Sequence, residues 1–310
     1  MKLMRKIPGG TLLIPMLVSA LVNTFIPDLF HIGGLTEGFF AGGSLNFVLG
    51  AAVFISGCGI KLSLIKNIVK RYGLLLIFRI LINTVCGFLF VKIFGLQGFW
   101  GLSAIAFICA LTSINPSLFL ALSEDMGDET DQLAFGFVSI FALPFIPMFI
   151  YGLTMPTQMD FMPIVSTIIP LLAGIAIGNL DPDFGKFLSS GMSFMILMLG
   201  WSVGAKIHLI QAAKAGLPGL VMLVLFYLLS ALPMYGYERL LQKRDGFSSI
   251  AICSAAGLSA SVPFLMLDSN PEIAEYASQA SAIVALCVIA TAIITPLLAR
   301  KIRGGKASVK

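Results

Sequence analysis

The chain has 310 residues, of which 58% are hydrophobic and only 11% charged, with a mean hydropathy of +0.98. Soluble domains carry roughly 25% charged residues, so a water-facing globule is excluded. The net charge of +5 and pI near 9.0 would admit a nucleic-acid partner, but the basic residues stand beside the ends of apolar runs, which is where membrane topology places them.

Taken in order, apolar runs bounded by charge or turn residues predict ten helices, each close to the ~20 residues a bilayer requires. They lie near 8–28, 38–60, 71–94, 98–122, 131–153, 161–180, 186–207, 215–240, 247–268 and 273–300. Long continuous runs, rather than alternating ten-residue strands, exclude an outer-membrane barrel. The basic start Met1-Lys2-Leu3-Met4-Arg5-Lys6 leads into an apolar stretch without a small-residue cleavage site, and reads as the approach to a first membrane helix rather than a signal peptide. Cys58, Cys86, Cys109, Cys253 and Cys287 all fall inside apolar runs without a CxxC pair. They read as small packing residues.

Ten helices put both termini on one side. Of the 20 Lys and Arg residues, all but Lys92, Lys206, Lys214 and the intrahelical Arg79 fall on that side. The positive-inside rule therefore predicts cytoplasmic termini. The acidic stretch Glu124, Asp125, Asp128, Glu129 and Asp131 lies on the same side and reads as a solvated loop. The run Asp128-Glu129-Thr130-Asp131 lacks the ligand spacing of a metal site, and His31 and His208 read as solvated residues at the outer face.

The chain also repeats itself. Ile14-Pro15-Met16-Leu17, ending at Pro27-Asp28, matches Ile169-Pro170-Leu171-Leu172, ending at Pro182-Asp183. Gly59-Ile60-Lys61-Leu62 matches Gly204-Ala205-Lys206-Ile207, and Gly98-Phe99 matches Gly246-Phe247. The repeats divide the chain at 1–153 and 161–310. Because five helices is an odd number, the second half must enter from the opposite side. The predicted fold is thus an all-α integral membrane protein of two inverted five-helix repeats, an architecture of many secondary transporters.

The fourth helix of each half is interrupted, at Leu111-Thr112-Ser113-Ile114-Asn115-Pro116-Ser117 and at Gly257-Leu258-Ser259-Ala260-Ser261-Val262-Pro263. Proline removes a backbone donor and frees a carbonyl one turn back; in lipid such groups must find a partner or line a wet cavity. Hydroxyls bonding back to their own helix would be the plain alternative. The repetition in both halves favours a binding site formed by Thr112, Ser113, Asn115, Ser117, Ser259 and Ser261. Arg79, about two turns into the third helix, either holds a substrate carboxylate through its guanidinium fork or snorkels to the headgroups. Gln132 and Gln279, opening the fifth and tenth helices, are candidate ion contacts or interfacial caps. No nucleotide loop, zinc set, catalytic dyad or cofactor motif is visible, so an intramembrane enzyme is remote, and opposed broken helices favour a carrier over a channel.

Ile7-Pro8-Gly9-Gly10, Gly178-Asn179-Leu180-Asp181-Pro182 and Ser254-Ala255-Ala256-Gly257 resemble signatures of the 2-keto-3-deoxygluconate permease family. The resemblance implies inward transport of 2-keto-3-deoxygluconate, a small anionic sugar acid, coupled to proton entry. It also implies the bile acid:sodium symporter-like fold, in which broken helices four and nine cross. There the core would comprise 71–153 and 215–300, and the panel 8–60 and 161–207. The family pattern carries carboxylates where this chain has Thr112, Phe141 and Lys61. With no carboxylate read deep in a helix, Glu124, Asp125 and Asp268 become the proton candidates. Sodium coupling through Thr112, Ser113 and Asn115, with another organic anion as substrate, is the alternative.

Overall fold

A computed structural model describes residues 10–41, 45–142, 145–153, 162–256, 259–260, 262–267 and 270–303. The described chain is almost wholly helical, interrupted by turns and by an isolated bridge between Phe99 and Leu102. The helices that matter here are α1 (Gly10–Phe25), α2 (Leu45–Gly59), α3 (Ile65–Phe94), α4 (Ala104–Thr112), α5 (Pro116–Met126), α6 (Glu129–Leu133), α7 (Phe135–Ile140) and α8 (Phe145–Gly152). They continue as α9 (Met162–Leu180), α10 (Pro182–Ser189), α11 (Met192–Gly204), α12 (Gly216–Leu240), α13 (Phe247–Ile252), α14 (Val262–Leu265) and α15 (Ala274–Arg303).

Four stretches are long and apolar enough to cross a membrane: α3, Ala104–Met126, α12 and Pro271–Arg303. Two bent pairs raise this to six, Gly34–Phe40 with α2 at 61° and α10 with α11 at 41°, and α1 and Val165–Leu180 are shorter apolar helices. The single runs expected over 131–153 and 247–268 are divided, the first into α6, α7 and α8 and the second into the short α13 and α14. Leu81, Ile93, Leu180, Leu217 and Leu297 are all more than half exposed. An apolar surface on this scale is a lipid-facing one, and the protein is a multi-pass membrane protein.

Two packing groups make up the interior. In the first, α2 lies on α9 and α1 lies on α11 with their backbones in contact. A Cβ added at Gly174 or Gly178 would come within 2.1 or 2.0 Å of the Phe54 or Cys58 carbonyl oxygen, and one at Gly200 or Gly204 within 2.3 or 2.1 Å of those of Leu12 or Met16. Glycines four apart on one helix face permit this approach, and the resulting dense van der Waals contact holds helices together in lipid, where burial supplies little force. Polar ties fasten both ends. Asn179 donates to Ile60 O (2.8 Å) and accepts from Leu62 N (3.2 Å). At the other pair Asn23 donates to Ile207 O (3.0 Å) while Thr24 accepts from Leu209 N (2.9 Å).

The second group comprises α3, α4, α5, α12, α13 and α15, with residues 104–123 entirely buried. One end of it is closed by ion pairs: Glu124, Asp125, Asp128 and Glu129 are exposed, as a solvated acidic loop requires, and Asp131 departs from that expectation. Asp131 is fully buried. It pairs with Arg71 (2.6 Å) and Arg303 (3.1 Å) and accepts hydrogen bonds from the Tyr72 hydroxyl (2.5 Å) and Ser248 (3.3 Å). Asp128 caps α6 in a reciprocal box with Asp131 and binds both Arg71 (2.7 Å) and Arg244 (3.2 Å). Arg303 also reaches Asp245 (2.8 Å). Partial burial raises the Asp128 pKa, but hydrogen bonding and charge attraction from Arg71, with Arg244, outweigh it and leave the carboxyl below the usual range. Asp245 is lowered in the same sense, its burial offset by Arg303 and the Phe247 amide. Nearby arginines favour the charged form of both carboxylates.

Candidate functional site at the meeting of two helix breaks

The first break is made locally. Pro116 has no N–H and opens α5, where that donor would be unpaired in any case. Asn115 caps the new helix by accepting from Leu118 N (3.0 Å), and Ser113 is extended. The second break begins at Cys253, where α13 stops after six residues. Its freed backbone groups find side chains. Thr295 donates to Cys253 O (2.7 Å), and Ala255 N donates to Thr291 (2.9 Å), both threonines standing one turn apart on α15. Substituting side chains for lost helical bonds satisfies the demand that lipid places on every backbone polar group.

The breaks touch. Ser113 Oγ lies 2.7 Å from Ser259 Oγ and accepts from Ala256 N at 2.7 Å, and the Asn115 amide donates to Ala255 O (3.4 Å). Beneath them Arg79 is 1% exposed. Its guanidinium donates to Ser113 O (2.8 Å), Leu111 O (3.3 Å) and the Cys253 sulfur (2.9 Å), and its Cζ is 5.8 Å from the Phe226 ring centre. These carbonyls end α4, so the cation rests against the negative end of a helix dipole. Asn83, one turn on from Arg79, donates to the same Leu111 O (3.1 Å). Arg79 has no carboxylate partner among the described residues, and its Nε, the Asn83 Oδ1 and the Ser254 Oγ are buried without hydrogen-bond partners there. Buried polar atoms are rarely left this way.

The structure thus brings Arg79, Ser113, Asn115 and Ser259 together, with Thr112 and Ser117 buried beside them. The guanidinium lies inside the protein instead of reaching toward the headgroups. Thr112 bonds back to Ile108 O (2.8 Å), the plain alternative for a helix hydroxyl. Ser261 and Asp268 lie outside the described residues. Gln132 is half-buried in α6; Gln279 is exposed near Gly101, and Glu124 and Asp125 are exposed at the end of α5, so none of these four is at the breaks. Lys61 is likewise exposed, and Phe141 is half-buried at the end of α7. The sequence reading missed Asn83, Thr291 and Thr295, although the four-residue spacings from 79 to 83 and from 291 to 295 place each pair on one helix face. It also missed Glu238, which is completely buried near the end of α12, so the chain does carry a carboxylate within a membrane helix.

The described residues thus form a lipid-faced helical body with a cation that lacks a carboxylate partner buried where two helix breaks touch. The family model for 2-keto-3-deoxygluconate permease matches residues 1–307, and the chain belongs to that family. It is 31% identical over 297 residues to 2-keto-3-deoxygluconate permease 1 of Salmonella typhimurium, covering 96% of this chain and 93% of the relative. It is also 31% identical over 297 residues to the Bacillus subtilis 2-keto-3-deoxygluconate permease, covering 94% and 90%. With the Escherichia coli O157:H7 2-keto-3-deoxygluconate permease it shares 29% over 319 residues, covering 100% and 97%. Permeases carry their solutes across unchanged, so this chain is a transporter and not an enzyme.

Proposed function

We propose that this permease imports 2-keto-3-deoxygluconate, or a similar small sugar acid, by proton symport with alternating access. The observation that carries the reading is Arg79. It is a cation buried inside the protein, within a membrane-spanning helix, without a carboxylate partner among the described residues, an expense that intramembrane charges incur for a ligand or a transport path. The free Nε is a donor for a substrate carboxylate, and Asn83 Oδ1 beside it is an acceptor for a substrate hydroxyl. Ser113, Asn115, Ser117 and Ser259 supply further polar contacts at the breaks, with Ser261 added from sequence, while Thr112 and Asn115 are the candidates for an ion. Glu124, Asp125, Gln132 and Gln279 stand away from the breaks and would contact an ion only on its way in or out.

In this reading the halves 1–153 and 161–310 form two inverted five-helix repeats, ten spans in all, in a bacterial inner membrane with both termini cytoplasmic. The first packing group is the panel and the second the core. The glycine contacts of α2 with α9 and of α1 with α11, each closed by a short polar tie, support the repeat because they exchange when the halves are interchanged. Exchange of conformations between the halves would expose the breaks to each side in turn. The second reading is sodium-coupled transport of another organic anion on the same scaffold, favoured by the hydroxyl-rich breaks, which offer the hard oxygen ligands a small cation needs.

Uptake of labelled 2-keto-3-deoxygluconate into proteoliposomes under separately imposed proton and sodium gradients tests both. Accumulation driven by the proton gradient supports the first reading. Accumulation only with sodium supports the second, and none with either, from folded protein, rejects this substrate.

A further inference from the structure

We infer that Glu238 is the proton-binding carboxylate of this carrier, a role that rests on the proton-symport reading above. Among the described residues two buried carboxylates, Asp131 and Glu238, occupy the core, and their surroundings differ. Asp131 is surrounded by two arginines, a tyrosine hydroxyl, a serine hydroxyl and the backbone amide of Asp128. Both of its oxygens are engaged. Glu238 is 0% exposed and accepts one hydrogen bond, from Ser249 N to Oε2 at 2.6 Å. Its Oε1 is buried without a hydrogen-bond partner, and the nearest cation, Arg244 Nε, stands 3.9 Å away and is itself without one. A carboxylate that is half satisfied and facing an imperfectly placed cation gains from a proton, because the neutral acid removes the cost of a buried charge.

Its position connects it to the helix breaks. Ser249, which it holds, lies in the first turn of α13, and α13 ends at Cys253, whose sulfur accepts from Arg79. A proton on Oε1 therefore alters the charge at one end of a six-residue helix whose other end bears the proposed substrate cation. Of the charged groups, Arg244 from the following turn is the one that faces it. Arg71 and Arg303 are engaged by Asp128, Asp131 and Asp245. The proton is taken from water on the side where the substrate binds and given to water on the side where it leaves.

The test is Glu238→Gln in the full chain, reconstituted into proteoliposomes and assayed in two ways with labelled 2-keto-3-deoxygluconate. Accumulation under a pH gradient is expected to fall to the equilibrium level, while exchange of labelled for unlabelled solute at equal pH continues at the wild-type rate. Accumulation by the variant equal to that of wild type overturns the assignment, and so does loss of exchange together with accumulation. Wild-type protein that accumulates nothing under a pH gradient overturns the symport reading itself and the assignment with it. If Glu238→Gln does not fold, Glu238→Asp decides. Accumulation with a displaced pH profile supports the role, and an unchanged profile overturns it.

Discussion

Between α1, α2, α9 and α11 the backbones touch, whereas around α3, α4, α5, α13 and α15 side chains reach across to hold broken helices together. The first group has no slack. A glycine with a carbonyl 2 Å from its missing Cβ fixes the helix spacing, and dispersion contact falls steeply once such surfaces separate. The second group is held by directional bonds, between Ser113 and Ser259, Asn115 and Ala255, Arg79 and two carbonyls. Directional bonds can be exchanged for equivalent ones to a ligand at little net cost. One group is suited to be a frame and the other to bind and release.

The contrast is broken most severely at Arg79. Arg79→Ala and Asn115→Ala are each expected to abolish uptake while the protein stays folded and in the membrane, as checked by transport beside size-exclusion profiles. Normal uptake by both would remove the site from the breaks. Asp131→Asn is expected to cost roughly 1–3 kcal/mol of stability, since it removes charge-assisted hydrogen bonds while Arg71 keeps Asp128 and Arg303 keeps Asp245; thermal unfolding in detergent measures it. Gly178→Val tests the frame. Overpacking against the Cys58 carbonyl should cost about 1–3 kcal/mol, lowering the melting temperature while substrate affinity stays near wild type.

The smallest effect is that of pH on Asp128. Its carboxyl is depressed in the folded protein, so its contribution is complete above the unfolded value, near 3.9, and is lost as pH falls through the folded one. Melting curves should therefore show no Asp128-dependent change from neutrality down to about pH 4. Below that, wild type should lose stability that Asp128→Asn lacks at every pH.

Much of this molecule could be read from the chain, and the remainder could not for identifiable reasons. The breaks were visible because Asn115-Pro116 and the serines before Pro263 are local signals, carried by the residues that make the break. That they touch is not local, because Ser113 and Ser259 meet across 146 positions. The acidic run looked solvated because charges usually are. Only the arrival of Arg71 from α3 and Arg303 from the end of α15 buries Asp131. Glu238 was passed over because it stands near the basic end of its helix, as any interfacial residue would. The close approach of α1 to α11 rests on glycines that also occur in loops.

Composition alone determined that this is a helical membrane protein, because lipid admits so few ways to satisfy a backbone. The order of prolines, serines and glycines located its irregularities. Which polar atoms end without a partner was decided by tertiary structure alone. Orphaned groups such as Arg79 Nε and Glu238 Oε1 arise from what distant helices fail to bring, and burial sets the cost of that failure.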